Sequence, residues 1–161
     1  MKQALIILLL CGTLKAWCFN DSLSRMNLSR SMTFEALGSG GLYSFNYESS
    51  WRFSPRLQYR LGISVFMPDN RWQVTFPLMV QKLFGQKKHG LLLGFGQGIT
   101  LAYYNYGRFA SFVRGIINVG WQYQRSGKRT FIRLCYTPLV SYLVDWQYEH
   151  WGGFTIGYNL P

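Results

Sequence analysis

The sequence predicts a single all-β domain, an antiparallel up-and-down barrel of about eight strands that spans a membrane behind a cleavable export signal. Three observations predict it. Apolar and polar residues alternate with a period of two in segment after segment; the polar face of those segments is rich in glycine; and charge is scarce. Of 161 residues, 18% are aromatic and only 14% charged, where a soluble domain carries roughly 25%.

The first residues read as a targeting segment. Lys2 supplies a positive start, Ala4 to Leu10 form an apolar run, and polar sequence begins at Asn20. The run is shorter than the ~20 residues a spanning helix needs, so export and cleavage are expected rather than anchoring. Ala16 and Cys18 are the small residues before a cut, which gives a signal peptide over 1–18, a short tether over 19–31 and the barrel over 32–161. Retention and acylation of Cys18, as in a lipoprotein, is the alternative. Cleavage takes Lys2 and Lys15 from the 17 basic residues, leaving 15 against 6 acidic and a net charge near +9. It also leaves Cys135 as the lone cysteine, so no internal disulfide is expected.

The strands follow in order. Met32 to Leu37 alternates, as does the segment carrying Tyr43, Phe45 and Tyr47. Leu57, Tyr59, Leu61, Ile63 and Val65 form one apolar face, and Trp72, Val74, Phe76, Leu78 and Val80 the next. Leu91 to Leu101 sets apolar residues against Gly94, Gly96 and Gly98. Val113 to Tyr123, Ile132 to Tyr136 and Phe154 to Leu160 complete the set. Helical spacing explains none of these runs. Ser54-Pro55, Pro68 to Asn70, Gly85 to His89, Asn105 to Arg108 and Arg125 to Lys128 read as turns, and Tyr142 to Glu149 as the longest outer loop. An even count places both termini on one side, the inner side.

Alternation does not say which face is inside, because a soluble sandwich also alternates. The polar face decides. Glycine weakens a strand and has no place on a wetted surface, but it suits a narrow lumen with just enough room for side chains. The apolar face of these runs carries no Asp, Glu, Lys or Arg. Trp51, Trp72, Trp121, Trp146 and Trp151 lie near strand ends, where aromatic belts form at membrane interfaces. Pro77 and Pro138 cannot donate to a ladder, and bulges are expected there.

Within the lumen, Glu35, Glu48, Arg60, Arg114 and Arg133 share the polar face and are expected to form a salt-bridge network; an anion-selective path is the functional alternative. Cys135 fills lumen space. His89 sits in a basic turn, and His150 lies near Ser141 and Asp145, which makes these three the weak candidates for acyl transfer or hydrolysis. Two isolated histidines and one cysteine give no metal-ligand spacing, so no metal or cofactor is expected. The basic residues are dispersed rather than gathered in a stripe, which argues against nucleic acid. Lys82, Lys87, Lys88, Arg125, Lys128 and Arg129 are better placed against anionic lipid head groups at the inner face.

Gly40-Gly41-Leu42-Tyr43-Ser44-Phe45-Asn46-Tyr47-Glu48, Phe76-Pro77-Leu78, Tyr136-Thr137-Pro138-Leu139 and Gly157-Tyr158-Asn159-Leu160 give the chain a family likeness. It resembles small, largely uncharacterised outer-membrane barrel proteins of Gram-negative bacteria over nearly all of the mature chain. The resemblance implies an outer-membrane location and this barrel fold, while the expected partners are the lipid bilayer, lipopolysaccharide and the outer-membrane assembly machinery, and the expected state is a monomer. It implies no activity. Such barrels commonly end in an aromatic residue, whereas this chain ends Leu160-Pro161. The expected role is structural or interactive through the outer loops. The alternatives are a barrel enzyme modifying lipid A or phospholipid acyl chains, and a periplasmic or secreted soluble β-sandwich that binds a ligand.

Overall fold

The computed structural model describes residues 30–51, 54–67, 71–86, 88–104, 107–141 and 147–161. The expected signal peptide, most of the tether, Pro68 to Asn70, Asp145 and Trp146 lie outside the described residues. The strands are β1 (Arg30–Gly38), β2 (Gly41–Trp51), β3 (Ser54–Phe66), β4 (Arg71–Gln86), β5 (His89–Tyr104), β6 (Arg108–Gln124), β7 (Thr130–Tyr136), β8 (Leu139–Ser141), β9 (Gln147–Glu149) and β10 (Gly152–Asn159). No helix occurs among the described residues. β7 and β8 both pair with β6 in one unbroken register, and β9 and β10 continue one another in the same way. Ten segments therefore make eight barrel staves.

Each stave pairs antiparallel with the next, and β1 closes on β10. Following partners around the outside gives Met32, Tyr47, Leu61, Leu78, Gln97, Gly115, Val140 and Tyr148. The direct partner of Met32 across the closing seam is Tyr158, so the circuit closes with an offset of 158 − 148 = 10 residues. Eight strands with this stagger tilt within the usual range of about 35–45° and enclose a lumen that side chains fill. The soluble-sandwich alternative is thereby corrected: there is one closed sheet, not two stacked ones.

The barrel is inverted relative to a soluble protein. Among the described residues 29 large apolar side chains are exposed, while 20 polar or charged side chains are buried against only eight hydrophobic ones. Met32, Phe45, Phe95 and Phe109 stand outside, each about 60% exposed or more; Ser31, Ser44, Gln58, Asn118 and Gln122 fill the inside. The glycines of the inner face make room. A Cβ on Gly157 would lie 2.1 Å from the Phe131 ring, and one on Gly120 would lie 2.4 Å from the Cys135 sulfur. Cys135 is buried as a lumen filler.

Four local expectations are corrected. Pro77 and Pro138 cause no bulge. The β3–β4 ladder skips the pairs between Leu61–Leu78 and Ser64–Thr75 and resumes in the same register, and the register is likewise unchanged across Pro138. A missing N–H removes a bond but inserts no residue, and the described register shift lies instead at Ser50/Trp51. Ser54-Pro55 opens β3 instead of forming a turn, and β1 begins at Arg30, ahead of the expected start. The long loop is shorter than expected, since Gln147–Glu149 is strand β9. The β1–β2 turn is the two-residue Ser39-Gly40, closed by the Gly38–Gly41 pair, with Leu37 (φ 55°) and Gly41 (φ 92°) in left-handed conformations on either side of it, a conformation that glycine adopts freely.

Gly157→Ala is expected to cost about 1–3 kcal/mol by forcing Phe131 off its rotamer. Gly152→Ala, whose Cβ would meet nothing within 4 Å, serves as the neutral control. Urea unfolding midpoints in phospholipid vesicles compare the two, and equal midpoints contradict the crowding argument.

Candidate functional site

The centre of the lumen is occupied by four fully buried charges, Glu35 of β1, Glu48 of β2, Arg60 of β3 and Arg133 of β7. They form a line. Arg60 Nη2 donates to Glu35 Oε2 at 2.8 Å, and its Nε lies 3.7 Å from Glu48 Oε1. From the opposite wall, Arg133 meets Glu48 with both terminal nitrogens, at 2.6 and 2.8 Å. Its Nε donates to Gln122 Oε1 at 2.7 Å, and its guanidinium lies over the Phe131 ring. Glu35 Oε2 also accepts from the backbone and hydroxyl of Ser39 and from the Ser44 hydroxyl. Two carboxylates and two guanidinia make the cluster neutral, which is the condition for burying charge at tolerable cost.

Strand alternation places all four on the inner face, and the closed register brings β2 and β7 within reach across the lumen. Gln58 and Gln81, hydrogen-bonded to each other, extend the polar layer. Sequence parity marks these glutamines, Ser31, Ser39, Ser44 and Gln122 as inward-facing or turn residues; their part in the cluster needed the third dimension.

Arg114 does not join this cluster. It lies toward the loop end, away from the chain termini, and pairs with Glu149 at 3.1 Å with both side chains partly exposed. Trp151 Nε1 donates to the same Glu149 oxygen at 3.3 Å. Trp151 thus leaves the expected outer belt: it packs on the buried cluster of Met79, Ile116 and Leu139. Its odd number, shared with the inward Gly153, Thr155 and Gly157, was the signal for that position. Trp51, Trp72 and Trp121 do stand outside, near strand ends.

Above the Met79–Ile116–Leu139 floor lies a cavity of about 120 Å³, lined by Gln73, Thr75, Thr100, Phe112, Arg114 and Trp151 among others. The buried Nε of Arg114 has no hydrogen-bond partner there. The lumen therefore reads, from the loop end inward, as a shallow vestibule, an apolar floor and a neutral charge layer.

Ser141 and His150 are not brought together. Ser141 shares the inward parity of the buried Thr137 and Leu139, whereas His150 is exposed on the outer face. Its Nδ1 lies 2.5 Å from the Tyr136 hydroxyl, and its ring stacks between Tyr136 and Tyr148. A nucleophile and its base must be within hydrogen-bond reach, and a sheet separates these two. No group of three or more metal-ligating side chains occurs among the described residues.

Glu48→Gln leaves Arg60 and Arg133 facing a neutral amide and is expected to lower stability by about 3–5 kcal/mol. Arg114→Gln breaks only the partly exposed pair and should cost less than about 1 kcal/mol. The measurement is the urea midpoint of each refolded variant; a Glu48→Gln protein as stable as the parent removes the cluster from its structural role.

No protein-family model matches this sequence, and no curated protein does. Among solved structures, the N-terminal β-barrel domain of OprF from Pseudomonas aeruginosa is similar, with a TM-score of 0.60 at 10% identity over 81% of this chain and 95% of that one. The likeness is one of fold: this chain is a closed, eight-stranded antiparallel β-barrel.

Proposed function

We propose that the chain is an integral outer-membrane barrel whose role is structural or interactive, exercised through its loop end, with the lumen closed to passage. The observation that carries this is the inversion of polarity. An exterior of Leu, Ile, Val, Phe, Tyr and Trp around a polar interior is stable only where hydrocarbon replaces water outside. Backbone pairing fits the same setting, because closure leaves no sheet edge in a solvent that offers no hydrogen bonds. The likeness to the OprF barrel domain is in keeping with this placement.

Closure of the lumen is supported by the charge layer. Eight strands leave little more than side-chain volume inside, and Arg60, Arg133, Glu35 and Glu48 fill it with charges that compensate one another rather than a ring of one sign. Anion conduction calls for uncompensated cations along a path, and the buried arginines here are paired.

In cells the protein is expected in the outer-membrane fraction, resistant to extraction by alkaline carbonate, and migrating differently on gels before and after boiling. A soluble protein whose migration ignores heating would overturn the reading. In planar bilayers it is expected to show no steady conductance; a stable open level would replace the closed-lumen reading with a pore.

A further inference from the structure

The geometry points to a discrete site for an anionic diacyl phospholipid on the outer wall of the barrel, with its head group on a basic collar at the terminal end and one acyl chain in an apolar groove. This rests on the membrane reading above. The groove has a volume of about 530 Å³ and runs over β6, β7, β10 and β1, walled by Trp121, Val119, Leu134, Tyr136 and Phe154. Gly152 opens its upper part: it is exposed, and a Cβ there would meet nothing within 4 Å. Toward the loop end the Tyr136 ring lines the groove, and its hydroxyl meets His150 Nδ1.

The groove descends toward cations. The Lys88 carbonyl accepts from Gln124 N, and Lys128 N donates to the Arg125 carbonyl, so the β4–β5 and β6–β7 turns lie side by side. Next to them Arg129 reaches the Tyr158 hydroxyl at 3.5 Å, and the Arg129 carbonyl accepts from Asn159 N. Lys88, Arg125, Lys128 and Arg129 are all exposed. The described acidic side chains lie elsewhere: Glu35 and Glu48 inside the lumen, Glu149 at the loop end. At its own end the collar therefore faces no described Asp or Glu side chain, and its four cations outnumber any negative charge there. His89, Trp121 and Tyr123 stack on the outer face just above it, the level at which amphipathic rings sit among head groups. Arg125 is four residues from Trp121, about 13 Å along an extended strand, a span that suits a phosphate at one end and an acyl chain at the other. Charge complementarity selects the occupant: each Lys or Arg near an anionic surface favours it by about 1 kcal/mol, and a zwitterionic phospholipid gains little of that.

The test uses the full chain refolded in phosphatidylcholine vesicles carrying increasing fractions of phosphatidylglycerol or phosphatidylcholine brominated in mid-chain. Bromine quenches nearby tryptophan, and subtracting a Trp121→Phe protein isolates the Trp121 signal. Half-quenching is expected at a mole fraction of brominated phosphatidylglycerol at least about threefold lower than of brominated phosphatidylcholine. At about 0.5 M salt that ratio should fall toward one. It should do the same in Arg125→Gln/Lys128→Gln/Arg129→Gln, whose changes lie in a turn and at its edge, and whose fold is checked by heat-modifiable migration. Gly152→Leu, which fills the slot, should weaken Trp121 quenching by both lipids. Equal half-quenching in the unaltered protein, or a preference that ignores salt and the triple substitution, overturns the collar. Undiminished Trp121 quenching in Gly152→Leu overturns the seated chain. A protein quenched by neither lipid has not entered the bilayer, an outcome that fails the membrane reading itself.

Discussion

A strand edge left unpaired exposes a row of N–H and C=O groups, and the rest of this structure depends on closing the sheet so that none remains. Eight staves close on themselves where β1 meets β10, with a stagger of ten residues around the circuit. The two prolines test the arrangement. Neither inserts a residue, and the ladder resumes in register on each side; Thr137 N finds the Trp151 carbonyl and Ile117 N the Pro138 carbonyl, so donors beside the interruption remain satisfied.

Closure at eight strands makes the lumen narrow, and the narrowness dictates composition. Large inward side chains fit only where a neighbour gives up its own, hence Gly157 beside Phe131, Gly120 beside Cys135 and Gly62 beside Asn46. The same confinement dries the interior, so its charges must compensate one another. Glu35, Arg60, Glu48 and Arg133 do so in a chain that joins β1, β3, β2 and β7, tying residues 85 apart in sequence. Arg114 has the same inward parity but sits higher, where Glu149 and Trp151 receive it and water is nearer.

Much of this was legible in the residues. Period-two alternation belongs to the strand itself, so Leu91 to Leu101 and Phe154 to Leu160 could be assigned faces without a partner in view. Gly94, Gly96 and Gly98 marked their face as the crowded one. Trp151 shows the limit of reading composition ahead of parity: aromatic character placed it in an outer belt, while its numbering placed it inside. His150 and Ser141 looked adjacent because they flank one loop, yet alternation sends them to opposite sides of the sheet.

Strand class, the parity of each face, a count of about eight staves and the five inward charges among which the buried four are found were all readable in the residues alone. Those follow from local geometry and from the solvent each face tolerates. Which glutamate meets which arginine, how far along the axis Arg114 stands from the other two, and the gathering of Lys88, Arg125, Lys128 and Arg129 at the foot of one apolar groove came from the closed barrel. The reason is physical: closure and stagger set the height of each residue on the barrel, and height comes from the pairing of every strand with its neighbours rather than from any one of them.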